Sequence, residues 1–165
     1  MDGEEGRRAY LAALRMLGRR AMSVQEVVDR LGRRQFSDGA VREAVERLLG
    51  EGALDDSAYA RAYIHDRLLL HPVGRRALRV ELARRGVSPE IAEKALSGLD
   101  AAREEEVIRE YLARHGYRPD CPGEERRRWR ERLLRRGFCG EAIRRSLGWP
   151  VESAGAEAAD AWPEP

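Results

Sequence analysis

Three stretches of this chain carry nearly the same text at one fixed spacing. They are Leu31-Gly32-Arg33-Arg34-Gln35-Phe36-Ser37, Leu82-Ala83-Arg84-Arg85-Gly86-Val87-Ser88 and Leu133-Leu134-Arg135-Arg136-Gly137-Phe138-Cys139. The offset is 51 residues in each step (82 − 31 and 133 − 82), with no gap needed. A fixed period of that length marks tandem supersecondary units. The middle copy reads as the end of one helix, a glycine stop, a serine cap with Pro89 at the first helical position, then a second helix through Ile91, Ala92 and Leu96. The outer copies run on in the same way, through Val41, Ala44 and Val45 and through Ile143 and Leu147.

The pattern in between is helical throughout. Ala9, Tyr10, Ala13, Leu14 and Leu17 recur at three and four residues over Arg7 to Gly18. Ser23 with Glu26 forms a capping box before Val27, Val28 and Leu31, and a third helix from about Asp38 to Leu49 buries Val41, Ala44, Val45 and Leu48. Asp55 and Asp56 open a helix through Tyr59, Ala60, Tyr63, Ile64 and Leu68, which Pro72 and Gly74 break. Arg75 to Arg85 turns Leu78 and Leu82 inward, and Ser88 to Leu99 completes the second triplet. The last triplet has Val107, Ile108, Tyr111 and Leu112, a loop at 117–123, Trp129 and Leu133, then Cys139 to Leu147. No stretch alternates as a strand would. The expectation is an all-α chain of three tandem three-helix repeats, each loosely a helix-turn-helix, at 7–50, 53–99 and 100–148. Residues 149–165 read as a flexible acidic tail, dispensable for folding.

Composition narrows the function. Of 31 basic residues only Lys94 is a lysine, so the chemistry is that of the guanidinium fork, suited to phosphates and carboxylates. The net charge of +2 hides a polarity: residues 1–6 hold three acids and 150–165 hold four, leaving 31 bases against 22 acids, or +9, in 7–149. Cys121 and Cys139 are too few for a disulfide scaffold, and with His65, His71 and His115 they show no metal-ligand spacing. The N-terminus lacks an apolar leader, and no apolar run reaches the ~20 residues of a membrane span. A soluble cytoplasmic protein with no cofactor, no metal and no membrane partner is expected.

Shifted by 51, Arg75, Arg76 and Arg79 fall on Arg126, Arg127 and Arg130, while Leu78 falls on Trp129. In the first repeat the same positions are Val24, Gln25 and Val28. With Leu78, Leu82, Trp129 and Leu133 inside, both triplets are expected on exposed faces, forming a stripe matched to something extended and anionic. A nucleic-acid backbone fits, as does an acidic protein groove; against both stands a plain solvated face. Enzyme readings are weaker. Glu104-Glu105-Glu106 diverge around a helix axis, Asp55-Asp56 serve as caps, and Cys139 aligns with the caps Ser37 and Ser88. A thiol at a helix N-terminus can have a lowered pKa, but a drifted cap residue is the plainer reading.

Gly52-Ala53-Leu54-Asp55-Asp56, Tyr59-Ala60, Arg67, Gly74, Leu78, Glu81-Leu82, Arg85-Gly86-Val87, Ile91 and Ala95-Leu96 together resemble the central signature of the RecX family of RecA regulators. Ala9 to Leu49 and Arg130 to Leu147 resemble the flanking repeats. The resemblance implies an elongated, curved array of three three-helix units. It also implies a monomer that binds RecA, in the groove of the RecA filament on single-stranded DNA, and curbs filament growth, ATP hydrolysis and strand exchange. The setting would be homologous recombination, DNA repair and the SOS response, with weak direct DNA binding and no catalysis. The Arg75, Arg76, Arg79, Arg126, Arg127 and Arg130 stripe would be the contact. Two alternatives remain: a stand-alone helix-turn-helix DNA-binding protein, and a generic helical adaptor.

Overall fold

The structure is a computed structural model and describes residues 2–148; the expected acidic tail lies outside the described residues. Among the described residues there are nine helices: α1 (Asp2–Leu17), α2 (Val24–Arg33), α3 (Asp38–Gly50), α4 (Asp56–Leu70), α5 (Arg75–Arg84), α6 (Pro89–Leu96), α7 (Ala101–Arg114), α8 (Gly123–Arg135) and α9 (Gly140–Leu147). The period is carried in the core. Leu31, Leu82 and Leu133 are fully buried, as are Ala9, Ala60 and Ile108. From Ala9 to Leu31 and from Ala60 to Leu82 is 22 residues, and from Ile108 to Leu133 is 25. The loop before α8 absorbs those three extra residues.

α1, α2 and α3 close around Ala9, Ala13, Val27, Leu31, Ala44 and Leu48. α7, α8 and α9 close around Ile108, Leu112, Trp129, Leu133 and Ile143. The caps are those read from sequence. Ser23 and Glu26 form a complete capping box, and Asp55 accepts from Ser57 N and Ala58 N; Asp100 adds a further cap, accepting from Arg103 N. One boundary differs. α1 begins at Asp2 rather than near Arg7, because Glu5 and Gly6 belong to the fold. Glu5 accepts from the backbone N–H and hydroxyl of Ser37, at 3.1 and 2.7 Å, and Gly6 lets α1 approach the Glu43 side chain. The N-terminal acids are thus not a detached appendage.

The described residues divide into two compact units: those up to Ala62 with Leu82–Ala92, and Tyr63–Glu81 with those from Glu93 to Gly148. The division falls inside the middle triplet, and a repeated interlock shows why. In the first unit the Arg85-Gly86 turn lies on the start of α2: Ser23 Oγ donates to the Arg85 carbonyl at 2.5 Å, and Arg85 donates to Glu26 and to the Tyr59 hydroxyl. In the second unit the Arg136-Gly137 turn lies on the start of α5: Gly74 N donates to the Arg136 carbonyl at 2.8 Å and Arg76 N to the Gly137 carbonyl at 3.2 Å. Ser23 and Gly74 are 51 residues apart, as are Arg85 and Arg136. Each turn therefore grips the middle helix of the triplet before it.

The glycine of the recurring text now has a reason. Gly86 and Gly137 have φ of +75° and +78°, and a Cβ on them would sit 2.2 Å from Gln25 Cβ and 2.5 Å from Ala77 N. The equivalent Gln35 keeps the left-handed backbone, at φ 63°, but has no earlier triplet to grip and so has room for its side chain. Gly137→Ala is accordingly expected to lower stability by at least about 2 kcal/mol in a thermal melt, since backbone strain and a clash against main chain add. Gln35→Gly should be neutral or stabilising by up to about 1 kcal/mol, because it removes strain alone.

Candidate functional site

The first arginine triplet sits on α5 and is largely spoken for. Arg75 donates to Glu93 Oε2 at 2.7 Å and to the Leu99 carbonyl at 3.5 Å, and Arg79 Nε donates to Glu93 Oε1 at 2.5 Å. Arg79 is only 5% exposed, Arg75 is half-buried, and Arg76 alone of the three is exposed. The expectation of an exposed triplet is therefore corrected at Arg79 and in part at Arg75. The reason is Glu93 on α6, a carboxylate that draws both guanidiniums against the fold. Arg79 first, and Arg75 with it, hold the Glu93 carboxyl below its ordinary 4.5 against the opposing effect of partial burial.

The second triplet meets a different environment. One period on from Glu93 stands Arg144, so α9 offers no carboxylate at that place. Arg126 is half-buried and donates to the Pro119 carbonyl at 2.8 Å, whereas Arg127 and Arg130 are exposed. Three further arginines of α8 are exposed with them: Arg128, Arg132 and Arg135. Among the described residues none of these five forms an ion pair, and Arg132 lies over the Trp129 ring, 4.5 Å from its centre. Arg128, Arg132 and Arg135 are spaced i, i+4, i+7, so they share one stripe of the helix, away from the buried Trp129 and Leu133. Matching repeats missed Arg128 and Arg132 because their counterparts in the middle triplet are Ala77 and Glu81, and Arg135 because its counterpart Arg84 belongs to the helix-end text and not to the triplet of Arg75, Arg76 and Arg79. The signal was the density of the α8 text, GEERRRWRERLLR.

The residues considered for chemistry have structural work. Glu104 is 1% exposed; its Oε1 accepts from Arg75 N at 2.5 Å and its Oε2 from Cys139 N at 2.7 Å, the starts of α5 and α9. Asp56 accepts from Val24 N at 2.9 Å, the start of α2. Cys139 caps α9, with Sγ accepting from Ala142 N at 3.4 Å. Its thiol is not activated: burial first, then the nearby Glu104 carboxylate, pushes it up from 9.0 to about 11. Arg67 makes a two-pronged pair with Glu81, at 2.8 and 2.9 Å, and the Tyr63 hydroxyl donates to the same carboxylate. Among the described residues no helix is long and apolar enough to cross a membrane.

These helices, caps and interlocks define an all-α protein built of three-helix domains. Family models agree: the model of the first three-helix domain of RecX matches residues 9–48, and that of its second three-helix domain matches 55–96. The regulatory protein RecX of Prosthecochloris aestuarii is 33% identical over 147 residues, spanning 89% of this chain and 96% of its own. That of Mycobacterium sp. (strain KMS) is 33% identical over 146 residues, spanning 83% and 79%. The crystal structure of RecX from Lactobacillus salivarius shares the fold, with a TM-score of 0.78 at 23% identity over 88% of this chain and 96% of that one. The chain belongs to the RecX family of regulatory proteins, as its motifs resemble.

The Glu93 arrangement gives a sign-specific expectation. A carboxyl held below its ordinary value stabilises the fold above about pH 4.5, and that contribution is lost on acidification through its lower folded value. Glu93→Gln should lower stability at pH 7 by about 1–3 kcal/mol, because the buried Arg79 loses a charged acceptor. In thermal melts the gap between parent and variant should narrow toward pH 3.

Proposed function

We propose that this protein regulates the RecA recombinase by binding RecA and its filament on single-stranded DNA, restraining ATP hydrolysis and strand exchange without chemistry of its own. It acts in the cytoplasm, as a monomer, within recombination, repair and the SOS response. The observation that carries the reading is the five-arginine surface of α8 in a chain of the RecX family. A filament on DNA presents phosphates and acidic protein groups along a line, and guanidiniums suit both. Residues 100–148 supply this surface as a third three-helix domain after the two that the family models match.

The contact is assigned to Arg76, Arg127 and Arg130 from the two repeating triplets, joined by Arg128, Arg132 and Arg135. Arg75, Arg79 and Arg126 serve the fold first. Adding the protein to RecA on single-stranded DNA should lower the ATPase rate; an unchanged rate with the protein in excess would contradict the proposal. Arg76, Arg127 and Arg130 changed together to glutamate should leave the melt within ~0.5 kcal/mol per substitution and abolish most inhibition. Arg75 and Arg79 changed to glutamate should instead lower the melting temperature, since two carboxylates would then face Glu93. Anisotropy with naked DNA distinguishes a stand-alone DNA binder, which would need no RecA.

A further inference from the structure

The middle triplet holds a carboxylate at a place where the third triplet has none. Tyr63 and Arg67 of α4 converge there on Glu81 of α5. The tyrosine hydroxyl donates at 2.6 Å, and the guanidinium donates twice, at 2.9 and 2.8 Å. The first helices of the two triplets correspond at an offset of 48 (108 − 60 for Ala60 and Ile108, 104 − 56 for Asp56 and Glu104). The middle helices correspond at 51, as Leu82 and Leu133 show. At the equivalent places of the third triplet stand Tyr111, His115 and Arg132. The tyrosine is kept, a histidine replaces the arginine, and the carboxylate has become an arginine. We infer that this place binds a carboxylate from outside the chain, the glutamate or aspartate side chain of an acidic protein segment.

The groups at this place are donors and cations without an anion. Tyr111 is 3% exposed, and its hydroxyl has no hydrogen-bond partner among the described residues. His115 stacks on the Tyr111 ring, 4.1 Å between centres, and its Nδ1 donates to the Tyr111 carbonyl at 2.7 Å. The Arg136 guanidinium lies over the same ring, 4.5 Å from its centre. Arg132 is exposed and rests on the Trp129 ring, a stacked contact that leaves its in-plane N–H groups available. Neither Arg132 nor Arg136 has an ion-pair partner among the described residues. The acids of α7 are engaged elsewhere: Glu104 on two backbone amides, Glu105 on Arg109 and Arg145, Glu106 on Arg103 and Glu110 on Arg114. An incoming carboxylate meets a hydroxyl donor and a guanidinium fork, the two kinds of donor that hold Glu81 in the middle triplet. The inference rests on the proposed function in taking α8 as the contact face, and it assigns this place to a protein side chain instead of a phosphate.

The probe is a fluorescein-labelled peptide of alternating glutamate and alanine, titrated with the full chain at low salt and read by anisotropy. Tyr111→Phe removes one hydroxyl with no change of charge and should weaken binding about fivefold. Arg132→Glu should weaken it about tenfold or more. Arg114→Glu, an equal charge reversal one residue from His115, should weaken it about twofold at most. His115→Arg combined with Arg132→Glu rebuilds the closed arrangement of the middle triplet; it should abolish binding without lowering the melting temperature. Binding unaffected by Tyr111→Phe overturns the inference. So does equal weakening by Arg114→Glu and Arg132→Glu, which would reflect diffuse charge. An oligothymidylate of the same charge is the second arm. If Tyr111→Phe and Arg132→Glu weaken it more than the peptide, the place takes phosphate and the carboxylate assignment fails. No RecA enters these titrations. A parent that ignores the peptide yet inhibits RecA would sink the inference alone; a parent that binds the peptide yet leaves RecA untouched would sink the proposed function alone.

Discussion

The interaction on which the structure most depends is a buried carboxylate placed between two helix starts. The first N–H groups of a helix have no partner within it, and burying them unsatisfied costs about 1–3 kcal/mol each. A chain of nine short helices among its described residues has many such starts to satisfy. Glu104 answers two of them, at Arg75 of the triplet before and Cys139 of its own. Both N-termini present partial positive charge to the same anion, which is what allows a carboxylate to be this deeply buried.

The same device recurs with variations that follow from side-chain length and position. Glu5, Asp56 and Glu104 stand at equivalent places near the start of the first helix in each triplet, once the three extra residues before α8 are allowed for. Glu5 has no triplet before it and reaches only Ser37 of its own. Asp56, one methylene shorter, reaches back to Val24. Glu104 performs both tasks. The arginine-glycine turns add a second tie in the same direction, so the middle triplet is held partly by each neighbour. That explains why the compact units divide within it.

Much of this was legible in the sequence, and the failures are instructive. The period, the inward positions and the caps at Ser23, Ser37 and Asp55 were legible because they obey local rules of spacing and hydrogen bonding. The exposure of Arg75 and Arg79 was misjudged because Glu93 lies 14 to 18 residues away, on another helix, where spacing carries no signal. Glu104 read only as one of three consecutive acids diverging around a helix axis for the same reason: its partners are 29 and 35 residues away. The Arg128, Arg132 and Arg135 stripe was hidden because a search by repetition overlooks what belongs to one repeat only, as Arg128 and Arg132 do, with Ala77 and Glu81 at their places in the middle repeat.

The central claim, that one carboxylate ties two helix starts together, is tested most directly by amide hydrogen exchange in Glu104→Gln. A carboxamide offers a single acceptor oxygen, so at least one of the two amides must lose its partner. The account predicts exchange at Arg75 or Cys139 at least tenfold faster than in the parent, with the Val24 amide, held by Asp56, unchanged. Parent-like protection at both Arg75 and Cys139 would contradict it.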